Sequence, residues 1–94
     1  MPRFTVRIEL HEGDPDDYST LHGAMERVGF SRYVESDAGV KYFLPWAEYS
    51  GEGNLTLDQV LESAKHAAAM TRRRYAVLVT ESKGRRWFGL TKAT

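Results

Sequence analysis

The hydrophobic pattern of this chain changes period in a fixed order along its length. Apolar and polar residues alternate over 3–10, apolar residues recur at helical spacing over 15–28, and alternation returns over 30–44 around a turn. Helical spacing follows again over 57–71, and residues 74–90 alternate with a second turn inside. The order predicts strand, helix, strand, strand, helix, strand and one further strand.

Residue types at the ends of the two helical segments support this order. Asp14 and Pro15 are typical of an N-cap and a first helical residue, and Gly29 is typical of a helix stop. Thr56 and Gln59 have the spacing of a capping box at the second helix. Right-handed crossovers would place both helices on one face of an antiparallel sheet. We therefore expect an α+β fold, a ferredoxin-like βαββαβ two-layer sandwich with an additional C-terminal β-strand.

The length and the charge balance restrict the classes of function. Ninety-four residues predict a single domain over 1–94. Thirteen Lys and Arg residues balance thirteen Asp and Glu residues, which argues against nucleic-acid binding through bulk positive charge but leaves room for a local basic patch. The absence of cysteine excludes disulfides and thiolate chemistry. No segment has the composition of a membrane span or a signal peptide, so we expect a cytoplasmic protein without membrane contact.

Two groups of cations flank the last predicted hairpin, and an aromatic residue lies close to the second group. Dense cations bind phosphates, and arginine together with an aromatic ring also stacks on unpaired bases. An alternative role for the first group is to complement the negative end of the second helix. The predicted nucleic-acid-binding residues are Arg72, Arg73, Arg74, Lys83, Arg85, Arg86 and Trp87.

The longest stretch without a clear period, residues 45–55, carries the aromatic residues Trp46 and Tyr49. Loops on a rigid scaffold often carry recognition, and exposed aromatic side chains are strong anchors. We therefore predict that Trp46 and Tyr49 bind a protein partner. The alternative is that Trp46 folds back and fills the end of the small core.

The ionisable residues form no recognised catalytic or metal-binding motif. His11, Glu12 and three aspartates follow the first strand, but their spacing differs from that of an EF-hand loop, and the aspartates suit the start of a helix. His22 and His66 lack partners at metal-site spacing. We expect no metal and no cofactor, and the sequence does not identify catalytic residues.

The first strand turns a row of polar residues towards the open face of the predicted sheet, namely Arg3, Thr5, Arg7 and Glu9. RNA-recognition-motif domains present aromatic residues on that face, so this chain is not a typical member of that class. A mixed polar face of this kind also suits the formation of a homodimer.

Several segments, spread over nearly the whole chain, carry a family resemblance. They are residues 3–10, 18–26, 29–32, 44–49 and 78–81, together with Trp87 and residues 89–90. In these segments the chain resembles small proteobacterial proteins of the GhoS-type antitoxin family. The resemblance implies a ferredoxin-like fold related to the small CRISPR-associated nucleases of the adaptation machinery. It also implies endoribonuclease activity against the messenger of a partner membrane toxin.

Two functions follow from the residues and the resemblance. The first is a small bacterial RNA-binding protein that acts as a GhoS-like, metal-independent endoribonuclease in a toxin–antitoxin or mobile-element setting. The second is a non-catalytic protein-interaction module, such as a phage- or plasmid-borne inhibitor of a host nuclease complex. The first function would use the arginine groups, and the second would use the 45–55 stretch.

Overall fold

In a computed structural model, which describes residues 1–93, the chain forms five strands and two helices over that range. In chain order they are β1 (Arg3–Leu10), α1 (Pro15–Arg27), β2 (Tyr33–Glu35), β3 (Lys41–Phe43), β4 (Glu48–Glu52), α2 (Leu57–Ala69) and β5 (Tyr75–Glu81). One antiparallel sheet has the order β4-β1-β5, and β2 and β3 form a separate antiparallel hairpin. The prediction of an α+β fold is confirmed.

The alternation of β1 determines where the core lies. Phe4, Val6 and Ile8 point to one face of the sheet and are 0% exposed. Both helices cover that face, and they add Leu21, Ala24, Met25, Val60, Ala64, Ala67 and Ala68 to the same cluster. The alanines of α2 allow this helix to approach the sheet closely, and the burial stabilises the fold by about 25 cal/mol for each Å² of apolar surface. The opposite face of the sheet carries mainly polar residues, and Leu78 of β5, which pairs with Arg7 and is 63% exposed, also lies on it.

The predicted ends of the helices are confirmed by their hydrogen bonds. The carboxylate of Asp14 accepts from the N–H of Asp17 at 2.9 Å, and the Asp17 carboxylate accepts from the N–H of Asp14 at 3.1 Å. Gly29 follows α1 with a φ of 94°, and the N–H of Phe30 donates to the carbonyl of Met25 at 2.9 Å. The predicted capping box at the start of α2 is also formed.

The stretch that the sequence left without a period contains a strand. β4 lies within residues 45–55 and pairs with β1 on the side opposite β5. Its alternation is hidden because Tyr49 is its only large core-facing residue and the next core-facing position is Gly51. A Cβ on Gly51 would lie 2.5 Å from the ring of Phe30, so Phe30 fills the space that a strand side chain normally occupies. The prediction of irregular structure is therefore wrong for residues 48–52.

The prediction of an additional C-terminal strand is also wrong, since residues 85–90 form no strand. Residues 82–93, which we call the tail, instead cross the polar face of the sheet and reach the β2–β3 hairpin. There the N–H of Phe43 donates to the carbonyl of Thr91 at 2.8 Å, and the N–H of Ala93 donates to the carbonyl of Lys41 at 2.9 Å. Polar groups of the sheet face hold the tail, so it does not pair along the edge of β5.

An isolated bridge joins the hairpin to the main sheet. Ser31, just before β2, and Ser50 of β4 each donate an N–H to the other's carbonyl at 2.8 Å. The bridge places the hairpin beside β4, where it forms one side of the groove described below. None of the helices within residues 1–93 has the length and apolar composition needed to cross a membrane.

Candidate nucleic-acid interface

The structure separates the two groups of cations that the sequence places around the last hairpin. Residues 72–74 precede β5, whereas residues 83–86 follow it. β5 has seven residues, which at 3.3 Å per residue span roughly 23 Å. The six cations therefore form two patches at opposite ends of one strand.

The first patch has a structural role through Arg73. The Nε of Arg73 donates to the Asp17 carboxylate at 2.7 Å, and Nη2 lies 3.8 Å from the carboxylate of Asp14. The backbone N–H of Asp14 and the Arg73 guanidinium together hold the pKa of Asp17 below its usual value. Arg73 thus links the turn after α2 to the start of α1. Arg72 and Arg74 present exposed side chains.

The second patch lies on the tail, which is anchored on the polar face of the sheet. The N–H of Ser82 donates to the carbonyl of Arg3 at 2.7 Å, and the hydroxyls of Ser82 and Thr5 are hydrogen-bonded at 3.0 Å. Nη1 of Arg85 donates to the hydroxyl of Ser50 at 2.9 Å and to that of Thr5 at 3.4 Å. Because these hydroxyls belong to β1 and β4, the Arg85 side chain lies across both strands.

Arg85 is a half-buried cation that has no carboxylate partner within residues 1–93. Its Nε is buried and makes no hydrogen bond. Burial lowers the pKa of Arg85, and the nearby charge of Arg3 lowers it further, while Glu52 acts in the opposite direction. A guanidinium that two hydroxyls hold in place and that has no ion-pair partner is suited to bind an anion through its remaining accessible N–H groups.

A groove of about 580 Å³, which we call the tail groove, opens between the tail and the turn that joins β2 to β3. It is lined by the cations Arg3, Lys83, Arg85 and Arg86, the aromatic residues Tyr42 and Trp87, and the carboxylates Glu35 and Asp37. The ring centroids of Tyr42 and Trp87 lie 5.8 Å apart. A second depression, of about 670 Å³, adjoins the groove along β4 and shares Arg3 and Arg85 with it.

Four of the seven predicted nucleic-acid-binding residues line the tail groove, and they are Lys83, Arg85, Arg86 and Trp87. The three arginines before β5 do not line it. Sequence reasoning missed Arg3, Tyr42 and the two carboxylates as members of this site. No local signal could have identified them, because the course of the tail over the sheet determines which side chains it meets.

A second cluster lies beside α1 and is built around Tyr49, which is 0% exposed. The hydroxyl of Tyr49 lies 2.6 Å from Nδ1 of His22 and has no other hydrogen-bond partner in the described residues. We assign Tyr49 as the donor of this bond, which places the proton of the neutral His22 ring on Nε2. Burial, and then the charge of Arg32, lower the pKa of His22, while burial raises the pKa of Tyr49. His22 is thus predominantly neutral at pH 7. The expectation that Tyr49 is exposed is wrong, because its ring belongs to the core.

Trp46 packs against this cluster and remains 58% exposed. Its ring centroid lies 5.3 Å from that of His22, with the two planes nearly perpendicular at 86°, and 5.4 Å from that of Tyr18. Nε2 of His22 is buried and makes no hydrogen bond within residues 1–93. Trp46 therefore both covers the end of the core and presents part of its ring to solvent. A role for Trp46 in partner binding stays a prediction.

The remaining ionisable residues are not gathered into a site of their own. Over residues 1–93, no group of three His, Asp or Glu side chains is arranged to hold a metal ion. His11 and His66 are exposed. His22 is the histidine that the fold surrounds with specific contacts.

Comparisons with known proteins assign the chain to no family. No protein-family model matches it, and no curated protein is significantly similar to it. A relation to the GhoS-type family therefore rests on the segments quoted above and is taken up below as a proposal.

Proposed function

We propose that this chain is a small RNA-binding protein of GhoS type that holds single-stranded RNA in the tail groove. The observation that carries the proposal is the state of Arg85. The hydroxyls of Thr5 and Ser50 fix its guanidinium, and none of the described carboxylates pairs with it. Three further cations line the same groove.

The composition of the groove fits phosphates together with unpaired bases. Arginine and lysine bind phosphate oxygens, and the rings of Tyr42 and Trp87 offer faces on which a base can stack. Glu35 and Asp37 reduce the net positive charge of the groove. That balance favours a few defined phosphate contacts over bulk attraction, in keeping with a chain whose net charge is zero.

Two double variants with the same change in net charge test the location of the site. Lys83→Ala/Arg86→Ala removes two exposed cations from the tail groove, and Arg72→Ala/Arg74→Ala removes two from the other end of β5. With a fluorescently labelled single-stranded RNA, we expect the first pair to weaken binding about tenfold and to reduce the slope of log K against log salt by roughly 1.4, or 0.7 for each phosphate contact. We expect the second pair to change affinity by less than about twofold.

Equal losses in the two double variants would indicate attraction without a defined site and would contradict the tail groove. The absence of binding by the wild-type chain at low salt would contradict the proposed function itself. Circular dichroism of each variant serves as the control for folding.

The proposal extends to RNA cleavage, because Glu35 and Asp37 line the same groove as the cations. A carboxylate can accept the proton of a ribose 2′-hydroxyl while arginines stabilise charge on the phosphate. Attack by the 2′ oxygen on phosphorus would form a 2′,3′-cyclic phosphate and break the bond to the 5′ oxygen, which takes a proton from water and leaves as a 5′-hydroxyl. We expect these product ends with and without EDTA, and their loss in Glu35→Gln/Asp37→Asn with RNA binding retained. Unchanged cleavage in that variant would exclude the two carboxylates as the base.

A second candidate function is the non-catalytic protein-interaction module, such as an inhibitor of a nuclease complex. The observation in its favour is Phe88 of the tail, which is 99% exposed. Sedimentation velocity of the wild type and of Phe88→Ser tests one form of this function, association with a second copy of the chain. A dimer that the variant loses would support it, and monomers of both at every concentration would contradict that form.

The same proposal includes a ferredoxin-like fold for the chain. Ser31 pairs with Ser50 beside β4, so the segment leading into β2 continues the order β5-β1-β4. With the β2–β3 hairpin counted as an extension, this order supports a ferredoxin-like arrangement. That arrangement is what the resemblance to GhoS-type proteins implies.

A further inference from the structure

We propose that a row of aromatic and cationic side chains on the β2–β3 hairpin extends the tail groove and stacks unpaired bases of the same RNA strand. The row consists of Lys41, Tyr33, Phe43, Arg32 and Trp46, and we call it the aromatic row. This inference rests on the proposed function, and it adds a second contact region that a nucleotide strand would reach after leaving the tail groove.

Two cations and three rings follow one another along the aromatic row, with the rings of Tyr33 and Phe43 adjacent. Nζ of Lys41 lies 5.9 Å from the centroid of the Tyr33 ring, which in turn lies 5.2 Å from that of Phe43. Cζ of Arg32 lies 5.2 Å from the Phe43 centroid and 5.9 Å from the Trp46 centroid. Arg32 therefore lies between two rings, within the distance at which a cation and an aromatic face attract each other.

The Lys41–Tyr33 end of the aromatic row adjoins the tail groove. Tyr33 and Lys41 line the second depression, which also contains Arg3 and Arg85. A strand whose phosphates contact Arg85 would therefore meet Tyr33 next. The row and the tail groove therefore meet at this depression, which the carboxylates Glu35, Asp37 and Glu52 also line.

The charge of the row favours a nucleotide strand as its occupant. Arg32 has no carboxylate partner within residues 1–93. Its positive charge adds to the effect of burial in lowering the pKa of His22, and it opposes the rise that burial causes in the pKa of Tyr49. Tyr33 and Trp46 are 39% and 58% exposed, so part of each ring is available for contact. A nucleotide supplies an aromatic ring and an anion together, whereas an apolar protein surface supplies no partner for Arg32.

Single-tryptophan variants can report on the two regions separately, because the chain has two tryptophans. Trp87→Phe leaves Trp46 as the only indole, and Trp46→Phe leaves Trp87 in the tail groove. Each variant is titrated with oligoadenylate and with an abasic ribose-phosphate oligomer of equal length, which has the charge but not the bases. We expect saturable quenching of both indoles by oligoadenylate at one common midpoint, and about tenfold weaker binding of the abasic oligomer because base stacking is lost.

A matched pair of charge variants tests the role of Arg32. Arg32→Gln should weaken oligoadenylate binding about fivefold to tenfold, since it removes both a phosphate partner and a stacking surface. Arg27→Gln removes the same charge from an exposed position at the end of α1, and we expect less than a twofold change. If Arg32→Gln fails to fold, the quenching of Trp46 in the Trp87→Phe variant still tests the aromatic row, because that variant retains Arg32.

The outcomes separate this inference from the proposed function. Quenching of Trp87 without any response of Trp46 would overturn the aromatic row and leave RNA binding in the tail groove intact. Quenching of Trp46 that is equal for the abasic oligomer would overturn base stacking. No response of either indole, with no binding by anisotropy, would overturn the proposed function and the inference with it.

Discussion

The hydrogen bond between Tyr49 and His22 should contribute measurably to stability, and the substitution Tyr49→Phe removes it. The ring of Tyr49 is 0% exposed, so phenylalanine fits the same space. The hydroxyl lies 2.6 Å from Nδ1 of His22, and its removal leaves a half-buried acceptor without a donor. Such a loss costs about 1.5 kcal/mol, which in a domain of this size lowers Tm by roughly 6–12 °C.

Thermal unfolding at neutral pH, followed by far-UV circular dichroism, measures this effect against a matched control. Tyr75 packs against the same core, but its hydroxyl makes no hydrogen bond within residues 1–93. Tyr75→Phe therefore removes a hydroxyl without breaking a bond, and we expect a change below about 0.5 kcal/mol. The pKa of His22, measured by NMR, should also rise in Tyr49→Phe, because the neutral ring loses the donor to Nδ1.

Equal decreases in Tm for Tyr49→Phe and Tyr75→Phe would refute this reasoning, since the effect would then follow from losing any tyrosine hydroxyl. An unchanged Tm in Tyr49→Phe would refute it as well. A His22 pKa that is the same in the wild type and the variant would show that the neutral ring does not depend on this bond.

Three further predictions concern pH, packing and salt. Folding lowers the pKa of His22 from its ordinary value of 6.5, so the neutral ring stabilises the folded state above pH 6.5, and this stabilisation is lost as the pH falls towards the pKa of His22 in the folded chain. The Tm of the wild type should therefore fall more on acidification than the Tm of His22→Gln. Equal decreases in Tm would contradict this. Gly51→Ala should lower the free energy of unfolding by about 2 kcal/mol, because the new Cβ would lie 2.5 Å from the ring of Phe30. Gly84 has no atom within 4 Å of the corresponding position, so Gly84→Ala should unfold in urea like the wild type. Arg73→Ala should lower the free energy of unfolding by about 0.5 kcal/mol at low salt and by less at high salt, and a salt-independent effect would argue against the ion pair.

The parts of the fold that the sequence predicts correctly are those fixed by local interactions. The alternation of β1 and the capping residues of both helices need only neighbours in the chain. β4 could not be recognised, because Gly51 is a core-facing position only when Phe30, from another segment, fills its space. The tail looked like a strand for a related reason, since its pattern does not show that Arg85 binds hydroxyls on β1 and β4.

The candidate site was predictable only in its local part. Arg85, Arg86 and Trp87 stay together because they are neighbours on the tail, and the sequence identified them as a group. Residues 72–74 were grouped with them as further cations near the last predicted hairpin, but they lie at the other end of β5 and do not line the tail groove. Arg3 entered the site through a contact that depends on the path of the tail.

The tail determines the chemistry of the polar sheet face. Because Arg85 is hydrogen-bonded to Thr5 and Ser50, a partner that approaches this part of the face meets the cations of the tail before it meets the strands. A homodimer that used the whole sheet face would have to displace the tail and break these bonds. The tail thus occupies part of the sheet face that the sequence suggested for dimerisation. In the proposed function, the cations of the tail supply the positive charge that an RNA strand would bind.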